Sequence, residues 1–184
     1  MRILPTALAG CHLIVPDIRR DERGYFVKTF HAEIFREHGL ATDFREEYYS
    51  ASHRGVLRGL HFQTPPHEHA KLVYCVRGAV FDAAVDLRQG SPTQGQHLTQ
   101  ELSEDNGCML YLAPGVAHGF CALTDDALMV YKVTTVYAPD SDSGILWNSA
   151  GIDWPVTAPQ LSARDQQFAT LAQFASPFRY QAPA

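Results

Sequence analysis

The sequence contains no apolar run that approaches the roughly 20 residues needed to cross a bilayer. Its N-terminus shows no charged-then-apolar leader, since the stretch up to Ala9 is short and contains Pro5. Positive charge is scarce as well, because 15 Lys and Arg stand against 20 Asp and Glu and the net charge is −5. A non-specific nucleic-acid binder is usually basic, so we expect neither a nucleic acid nor a membrane as partner.

The sequence also has few cysteines and no pairing pattern among them. Its four cysteines form no C-x-x-C pair, and their spacing matches neither a zinc site nor a disulfide framework: Cys11, Cys75, Cys108 and Cys121. Three of the four lie inside apolar runs, as buried free thiols do. We therefore expect reduced thiols and a cytoplasmic location.

What the sequence does contain is a balance typical of a globular protein, with 46% apolar and 19% charged residues in 184. No repeat, low-complexity tract or long linker divides it. A chain of this length has room for one sizeable core. We predict one domain over residues 1–184.

Short runs rich in Val, Leu, Tyr and Phe, separated by turn residues, dominate the chain. They predict strands over residues 12–15, 25–30, 56–62, 71–77, 79–87, 97–102, 109–112, 119–122 and 127–136. Helices are expected only over 31–38 and, with Ser162 as N-cap, over 162–174. Many closely spaced strands with few helices indicate an all-β antiparallel sandwich or barrel.

Single polar residues recur on the apolar faces of the predicted strands. Residues two apart point to the same side of a strand, so Asp82 and Asp86 share a face with Val80 and Ala84. This pattern is typical of a barrel whose interior holds a ligand. The alternative is that the polar residues lie at strand ends and face water.

One hypothesis for the chemistry is a metal-dependent cupin enzyme. Small barrels of that superfamily often carry an H-x-H pair, here His67 and His69, and a distant P-G-x-x-H, here residues 114–118. The glutamate usual in that pattern is missing, because Leu72 and Val73 occupy its place. A site of three histidines would still be geometrically feasible.

A second hypothesis needs no metal. Inverting a carbon beside a ketone requires a base on one face, an acid on the other and a cation or donor at the enolate oxygen. Histidine suits the base, tyrosine the acid and lysine the oxyanion, and the sequence offers His61, Tyr131 and Lys71. Spacing alone does not prove that they converge.

Several segments, in order from about residue 10 to 168, carry a specific resemblance. They include 21–24 (DERG), 56–63 (VLRGLHFQ), 114–120 (PGVAHGF), 144–148 (GILWN) and 161–165 (LSARD). On these motifs the chain resembles the dTDP-4-dehydrorhamnose 3,5-epimerase family. The resemblance implies a dimeric, cupin-type jelly-roll barrel without metal or other cofactor. It also implies an isomerase that inverts C5, C3 or both in a nucleotide-linked 4-keto-6-deoxyhexose, for polysaccharide precursors.

The resemblance also implies roles for individual residues. His61 would be the general base, oriented by Asp165, with Tyr131 as the opposing acid and Lys71 at the enolate oxygen. The implied substrate-binding residues are Arg23, Phe26, Lys28, Glu46, Tyr48, Arg58, Gln63, Asp82, His118, Asp142 and Arg164. Among these, the arginines would hold the diphosphate or nucleotide, for which guanidinium groups are suited.

Two places depart from the family's pattern. The family usually has a glutamate where this chain has Lys28, and Gln-Asp-Asn-His where it has residues 46–49 (EEYY). Both lie around the nucleotide base, so a CDP- or GDP-linked 4-keto sugar is an alternative to the dTDP-linked one. A non-catalytic sugar-nucleotide-binding barrel is a further alternative, which would not need an opposed base and acid.

The segment that carries His61 contains one internal conflict. Strict alternation along a strand places Arg58 and His61 on opposite faces. Both can face one site only if the strand is irregular, and Gly59 between them is the residue that would allow it. We therefore predict a bulge or twist at Gly59.

Overall fold

The computed structural model describes residues 1–182, which form thirteen strands and one short helix, α1 (Ala32–Glu37). One antiparallel sheet has the order β1 (Arg2–Pro5), β2 (His12–Val15), β10 (Met109–Leu112), β7 (Lys71–Arg77), β12 (Ala127–Val133) and β5 (Glu46–Ser52). The second has the order β13 (Asp142–Gly144), β6 (Leu57–Gln63), β11 (Val116–Ala122), β8 (Ala79–Asp86) and β9 (His97–Ser103). A separate hairpin pairs β3 (Ile18–Asp21) with β4 (Gly24–Val27).

The two large sheets face each other and enclose the main core, which gives the all-β, cupin-type jelly roll expected from the sequence. Val73 and Met129 of the six-stranded sheet belong to one buried cluster with Val80, Ala84 and Phe120 of the five-stranded sheet. The alternation of β8 is therefore as predicted, since Ala83 and Val85 pack in a different cluster on its other face. Polar side chains on the inner faces thus point into the space between the sheets.

Four strands carry no sequence signal strong enough to be predicted. They are β1, β3, β5 and β13, all short or at the edge of a sheet. β5 reads EEYYSAS and is largely exposed, so it lacks the apolar alternation that marks a half-buried strand. Its pairing with β12 is what makes it a strand.

The helix expected over residues 31–38 is present as α1, but the one expected over 162–174 is wrong. Ser162 Oγ does accept a hydrogen bond from the Asp165 amide at 3.1 Å, as an N-cap would. The chain then makes separate turns, and the Ala169 carbonyl accepts a hydrogen bond from the Leu146 amide at 2.8 Å. Contacts with the sheet have replaced the bonds a helix would form.

The irregularity predicted at Gly59 is confirmed. Along the β6–β11 pairing His61 lies opposite His118 but Arg58 lies opposite Phe120, so β6 uses one extra residue there. Gly59 has φ of 142°, in the region that favours glycine, and a Cβ there would lie 2.6 Å from the Gly119 Cα. The bulge therefore depends on a position without a side chain.

No helix within residues 1–182 is long and apolar enough to cross a membrane. The cysteines described by the structure are all free thiols. Of the three in apolar runs, Cys75 and Cys121 are buried as expected, whereas Cys108 is only half-buried; Cys11 is buried as well.

We expect Gly59→Ala to lower the free energy of unfolding by about 3 kcal/mol, from backbone strain together with overpacking against Gly119. Gly95→Ala is the matched control, because Gly95 also has positive φ, of 76°, but open space around its Cβ position. The control should lose only about 1 kcal/mol. Urea unfolding of both variants measures the difference, and equal losses would show that the close approach to Gly119 does not matter.

Candidate active site

The centre of the site is a hydrogen bond between His61 and Asp165. His61 lies on β6, and its Nε2 is 2.8 Å from Asp165 Oδ1, although the two residues are 104 positions apart. The other oxygen of Asp165 accepts the Gly59 amide at 3.3 Å. Burial acts to raise the pKa of Asp165, but the bonds from His61, Gly59 and Ser162 lower it below its ordinary value. Asp165 is thus a carboxylate that holds the His61 ring by Nε2 and leaves Nδ1 as the basic nitrogen.

Two adjoining cavities of 310 and 210 Å³ open beside this pair and share Tyr48, His61 and Lys71 in their walls. The inner, smaller cavity is lined by Tyr48, Ser50, Arg58, His61, Lys71, His118, Phe120 and Tyr131. The outer, larger one is lined by Glu46, Tyr48, His61, Phe62, Gln63, His69, Lys71, Val133, Tyr137, Asp142 and Arg164. The interior of the jelly roll therefore contains a polar chamber with a wider mouth.

Lys71 is the buried cation of this chamber. It begins β7, is only 6% exposed, and its Nζ donates to the His61 carbonyl at 2.9 Å. Burial lowers the pKa of Lys71 to about 8, against the opposing effect of Asp142 and Asp82. At neutral pH the group is an ammonium with hydrogens left to donate to a ligand.

Behind Lys71 lies a second buried pair, Asp82 of β8 and His118 of β11. His118 Nε2 is 2.8 Å from Asp82 Oδ2, and both side chains are almost fully buried. Burial raises the pKa of Asp82, while His118 and Lys71 act to lower it. Asp82 Oδ1 has no hydrogen-bond partner among the described residues. His118 lines the inner cavity together with Lys71, so the pair places a buried carboxylate directly behind the wall of that cavity.

Tyr131 projects from β12 in the sheet opposite His61. Its hydroxyl is 3.2 Å from Ser50 Oγ, and the ring of Tyr48 stacks on it with centroids 4.8 Å apart. Burial raises the pKa of Tyr131 far above its usual range, so the phenol is protonated at neutral pH. Burial likewise raises the pKa of Tyr48 to about 12. Tyr131 is thus a proton donor facing the chamber from the wall opposite the histidine.

The mouth of the chamber is held by charged residues. Arg164 Nη1 is 2.7 Å from Asp142 Oδ2, and the hydrogen bond that Arg164 donates to this carboxylate raises the pKa of Arg164. Arg58 donates to Ser52 Oγ at 3.0 Å and to the Ala51 carbonyl at 3.2 Å, at the edge of the inner cavity. Both guanidinium groups are partly exposed and available to an anion.

Three residues predicted to bind substrate lie outside the chamber of their own chain. Arg23 and Phe26 lie in the β3–β4 hairpin and line a different groove, and Lys28 follows that hairpin and is exposed. Arg23 pairs with Asp21, which lies two residues before it, and Phe26 is 60% exposed. The other predicted site residues all line the chamber or bond to residues that do.

Among the contributors to the site that sequence reasoning missed are Ser50, Tyr137 and Phe168. Ser50 bonds Tyr131, Tyr137 lines the mouth, and the Phe168 ring lies edge-on to His61 with centroids 5.8 Å apart. None stands in a motif with a chemical reason of its own. The polar alternation of β5 could have pointed to Ser50 had that strand been predicted.

The residues proposed as metal ligands are not assembled as a ligand set. Within residues 1–182 no group of three or more His, Cys, Asp or Glu side chains could hold a metal ion. His67 is exposed, whereas His69 lines the outer cavity and His118 is bonded to Asp82. The H-x-H pair is therefore divided between solvent and cavity.

A histidine, a lysine and a tyrosine gathered in one chamber of a jelly-roll barrel are the kinds of group that proton transfer at carbon requires. A family model for dTDP-4-dehydrorhamnose 3,5-epimerase matches residues 5–173. The chain is 46% identical over 157 residues to the enzyme of that name from Methanothermobacter thermautotrophicus, covering 84% of each chain. It is 42% identical to the one from Shigella flexneri, covering 90% of this chain and 93% of the relative.

Solved structures agree with the sequence comparisons. A dTDP-6-deoxy-D-glucose-3,5-epimerase from Legionella pneumophila, in complex with dTDP-4-keto-L-rhamnose, superposes with a TM-score of 0.93 at 38% identity, covering 98% of this chain and 99% of that one. A 4-keto-6-deoxy sugar epimerase from the novobiocin gene cluster of Streptomyces spheroides gives 0.90 at 40% identity, covering 94% and 88%. The protein is an isomerase. It belongs to the dTDP-4-dehydrorhamnose 3,5-epimerase family.

We expect Lys71→Met to stabilise the fold at pH 7 by up to about 3 kcal/mol, because it removes an ammonium that the folded state holds at a lowered pKa. Below pH 8 wild-type Lys71 is charged in both states, so the folded state bears the full penalty. Between pH 8 and about 10.4 only the unfolded state keeps its proton, so wild-type stability rises and the variant's advantage should shrink.

Urea unfolding at pH 7 and pH 10 measures this, with Lys132→Met as control. Lys132 is paired with Glu47 and its side chain is 22% exposed, so its replacement should change stability by less than about 1 kcal/mol. A Lys71→Met advantage that is absent, or equal at both pH values, would contradict the buried charge.

Proposed function

We propose that this protein epimerises a dTDP-linked 4-keto-6-deoxyhexose, of the type dTDP-4-dehydro-6-deoxy-D-glucose to dTDP-4-dehydro-L-rhamnose. The observation that carries the proposal is the placement of His61 and Tyr131 on opposite sheets of one chamber. Lys71 lies on the strand next to that of Tyr131, and its Nζ reaches across to the His61 carbonyl. The names of the relatives supply the substrate class, since they act on or bind dTDP sugars of this kind.

In the proposed reaction His61 Nδ1 takes the proton from the carbon beside the ketone, while Asp165 holds Nε2. The electrons of the broken C–H bond move into the C4–O group, and the resulting enolate oxygen receives a hydrogen bond from the Lys71 ammonium. Tyr131 then donates its phenolic proton to the opposite face of the carbon. The centre is inverted, and proton exchange with water restores both side chains.

The same steps at C5 and at C3 would give the 3,5-epimerisation named for most of these relatives. One relative, from Streptomyces niveus, is named a 3-epimerase and is 42% identical over 176 residues. The number of centres inverted is therefore the quantity that an exchange experiment must read out.

Base recognition is the part of the proposal with the least support from motifs. Glu46 and Tyr48 stand where the family has other residues, and both line the outer cavity with Asp142. The relatives are named for dTDP sugars, so thymidine is our first choice. A CDP- or GDP-linked 4-keto sugar is our second choice. The acidic side chains of Glu46 and Asp142 favour it, because cytosine and guanine carry amino groups that can donate hydrogen bonds.

We also infer a homodimer in which the β3–β4 hairpin of one copy reaches the chamber of the other. The support is that Arg23 and Phe26 lie outside the site of their own chain, while Tyr25 and Phe26 are 50% and 60% exposed. Large exposed aromatic side chains in a hairpin are suited to burial against a partner. The cytoplasmic location expected from the sequence stays a prediction.

The first test is solvent deuterium incorporation into dTDP-4-keto-6-deoxyglucose, with its CDP and GDP counterparts in parallel. We expect wild type to exchange at C5, or at C3 and C5, with the dTDP sugar preferred. His61→Ala should lower the rate by about 10²–10⁴-fold because the general base is gone.

Two further variants sharpen this test. Tyr131→Phe should reduce the rate of inversion at C5 more than the rate of deuterium exchange. The reason is that the variant loses the proton donor on one face of the carbon and keeps His61 on the other. His97→Ala is the matched control, because His97 is exposed at the end of β9 and outside both cavities. No exchange with any nucleotide sugar would reject the epimerase proposal and favour a binding barrel.

The dimer is tested by sedimentation and by mixing inactive variants. We expect wild type to sediment with twice the mass of one chain, and both His61→Ala and a double Arg23→Ala/Phe26→Ala variant to be nearly inactive. If sites are shared, refolding the two variants together should restore activity, because mixed dimers contain one intact site. A monomer, or no restoration in a mixed dimer, would contradict the inference.

A further inference from the structure

Gln63 lies on β6 two residues after His61, and its side chain is only 4% exposed. Both ends of its amide are used by backbone groups. Oε1 accepts from the Ala138 amide at 2.7 Å, and Nε2 donates to the carbonyls of His67 at 2.9 Å and Val136 at 3.3 Å. An amide has two donor hydrogens, so Nε2 has none left for a ligand.

These three partners belong to two different loops. The loop 64–70 joins β6 to β7, and the loop 134–141 joins β12 to β13. At their ends the loops are already joined by backbone bonds, Thr64 to Ser141 at 2.8 Å and Thr134 to Ala70 at 3.2 Å. Gln63 therefore connects the middle parts of the two loops.

Thr135 extends the connection beside Gln63. Its hydroxyl donates to the His67 carbonyl at 3.0 Å and lies 3.1 Å from His69 Nδ1. Burial lowers the pKa of His69 to about 3, so this ring is neutral and bonds here as a structural group. We name the set formed by Gln63, Thr135 and the loop groups they bond the Gln63 clasp.

What the clasp positions is Tyr137. Its neighbours in the chain, Val136 and Ala138, are both bonded by Gln63, and its own amide donates to Glu46 Oε2 at 2.6 Å. The Tyr137 ring remains 59% exposed and lines the outer cavity, with its hydroxyl 3.4 Å from Asp142 Oδ2. A loop residue is thus held in place by its backbone while its ring is free to meet a ligand.

We propose that Gln63 is a positioning residue, which holds Tyr137 in the cavity wall before substrate arrives and raises substrate affinity without touching substrate. This rests on the proposed function only for the identity of the substrate. Ordering a loop in advance removes an entropic penalty from binding. Tyr137 lines the outer cavity and not the inner one that holds Tyr131, so the effect should fall on KM more than on kcat.

The test is a double-mutant cycle on the full chain with Gln63→Met, Tyr137→Ala and the combined variant. Met keeps the length of the side chain but removes its polar groups. We expect each single variant to raise KM for the dTDP sugar, and Kd for dTDP by calorimetry, about tenfold, equivalent to about 1.4 kcal/mol. Their kcat and pH profile should stay close to wild type. The combined variant should be no weaker than Tyr137→Ala alone, because Gln63 acts through Tyr137.

Gln89→Leu is the matched control. Gln89 also donates its amide to a distant carbonyl, that of Ser176, but lies outside both cavities. It should lower the melting temperature as Gln63→Met does and leave KM unchanged. Unchanged KM and Kd in Gln63→Met would overturn the proposal, as would single effects that multiply in the combined variant.

Failure of the proposed function gives a different result. If wild type binds dTDP but turns over no nucleotide sugar, the cycle still decides the role of Gln63 through Kd. If wild type binds CDP or GDP instead of dTDP, the cycle is measured with that nucleotide; wild type that binds none of the three would reject both proposals. A Gln63→Met variant that fails to fold is replaced by Gln63→Glu, which keeps the acceptor for Ala138 and loses the donors; wild-type Kd in that variant would overturn the proposal.

Discussion

The hydrogen bond between His61 and Asp165 is the interaction on which the site's architecture depends. It joins the five-stranded sheet to the C-terminal segment, which carries no helix and follows the sheet through bonds such as that from Leu146 to Ala169. The same carboxylate accepts the Gly59 amide and so supports the bulge that turns His61 towards the chamber. Asp165 therefore sets the orientation of the His61 ring and determines which ring nitrogen stays free. It also fixes the local path of β6 and of the C-terminal segment.

Around this pair the chamber balances buried charges of both signs. Lys71 is an ammonium in a place that burial makes unfavourable, and Asp142 and Asp82 partly offset that penalty. Asp82 in turn is held by His118. Such an arrangement lowers the stability of the free protein and preserves a cation where an enolate would form, which is the usual conflict between stability and activity at a site. At the mouth, by contrast, the Gln63 clasp consists of uncharged groups that hydrogen-bond to one another and connect two loops.

Much of the fold could be predicted because the core strands carry their own pattern. The sequences of β7, β8 and β12 show either period-two alternation or an apolar run long enough to be recognised as a strand. The polar residues on their inner faces indicated a chamber. The bulge at Gly59 followed from a conflict between alternation and chemistry. Edge strands such as β5 could not be predicted, since exposure removes the apolar signal and only pairing with β12 defines them. The expected second helix was wrong because its propensity was outweighed by contacts with the sheet.

The sequence by itself determined the all-β class, the residue types for proton transfer at carbon and, through its motifs, the family. These depend on local periodicity and on short motifs, which can be recognised from the order of the residues alone. Only the tertiary structure decided that His61 meets Asp165 across 104 positions, that Tyr131 faces it from the other sheet, and that the Gln63 amide bonds two loops at the outer cavity. It also placed Arg23 and Phe26 away from the chamber of their own chain. Such contacts arise from the packing of distant strands, and residue spacing along the chain carries no information about which of them meet.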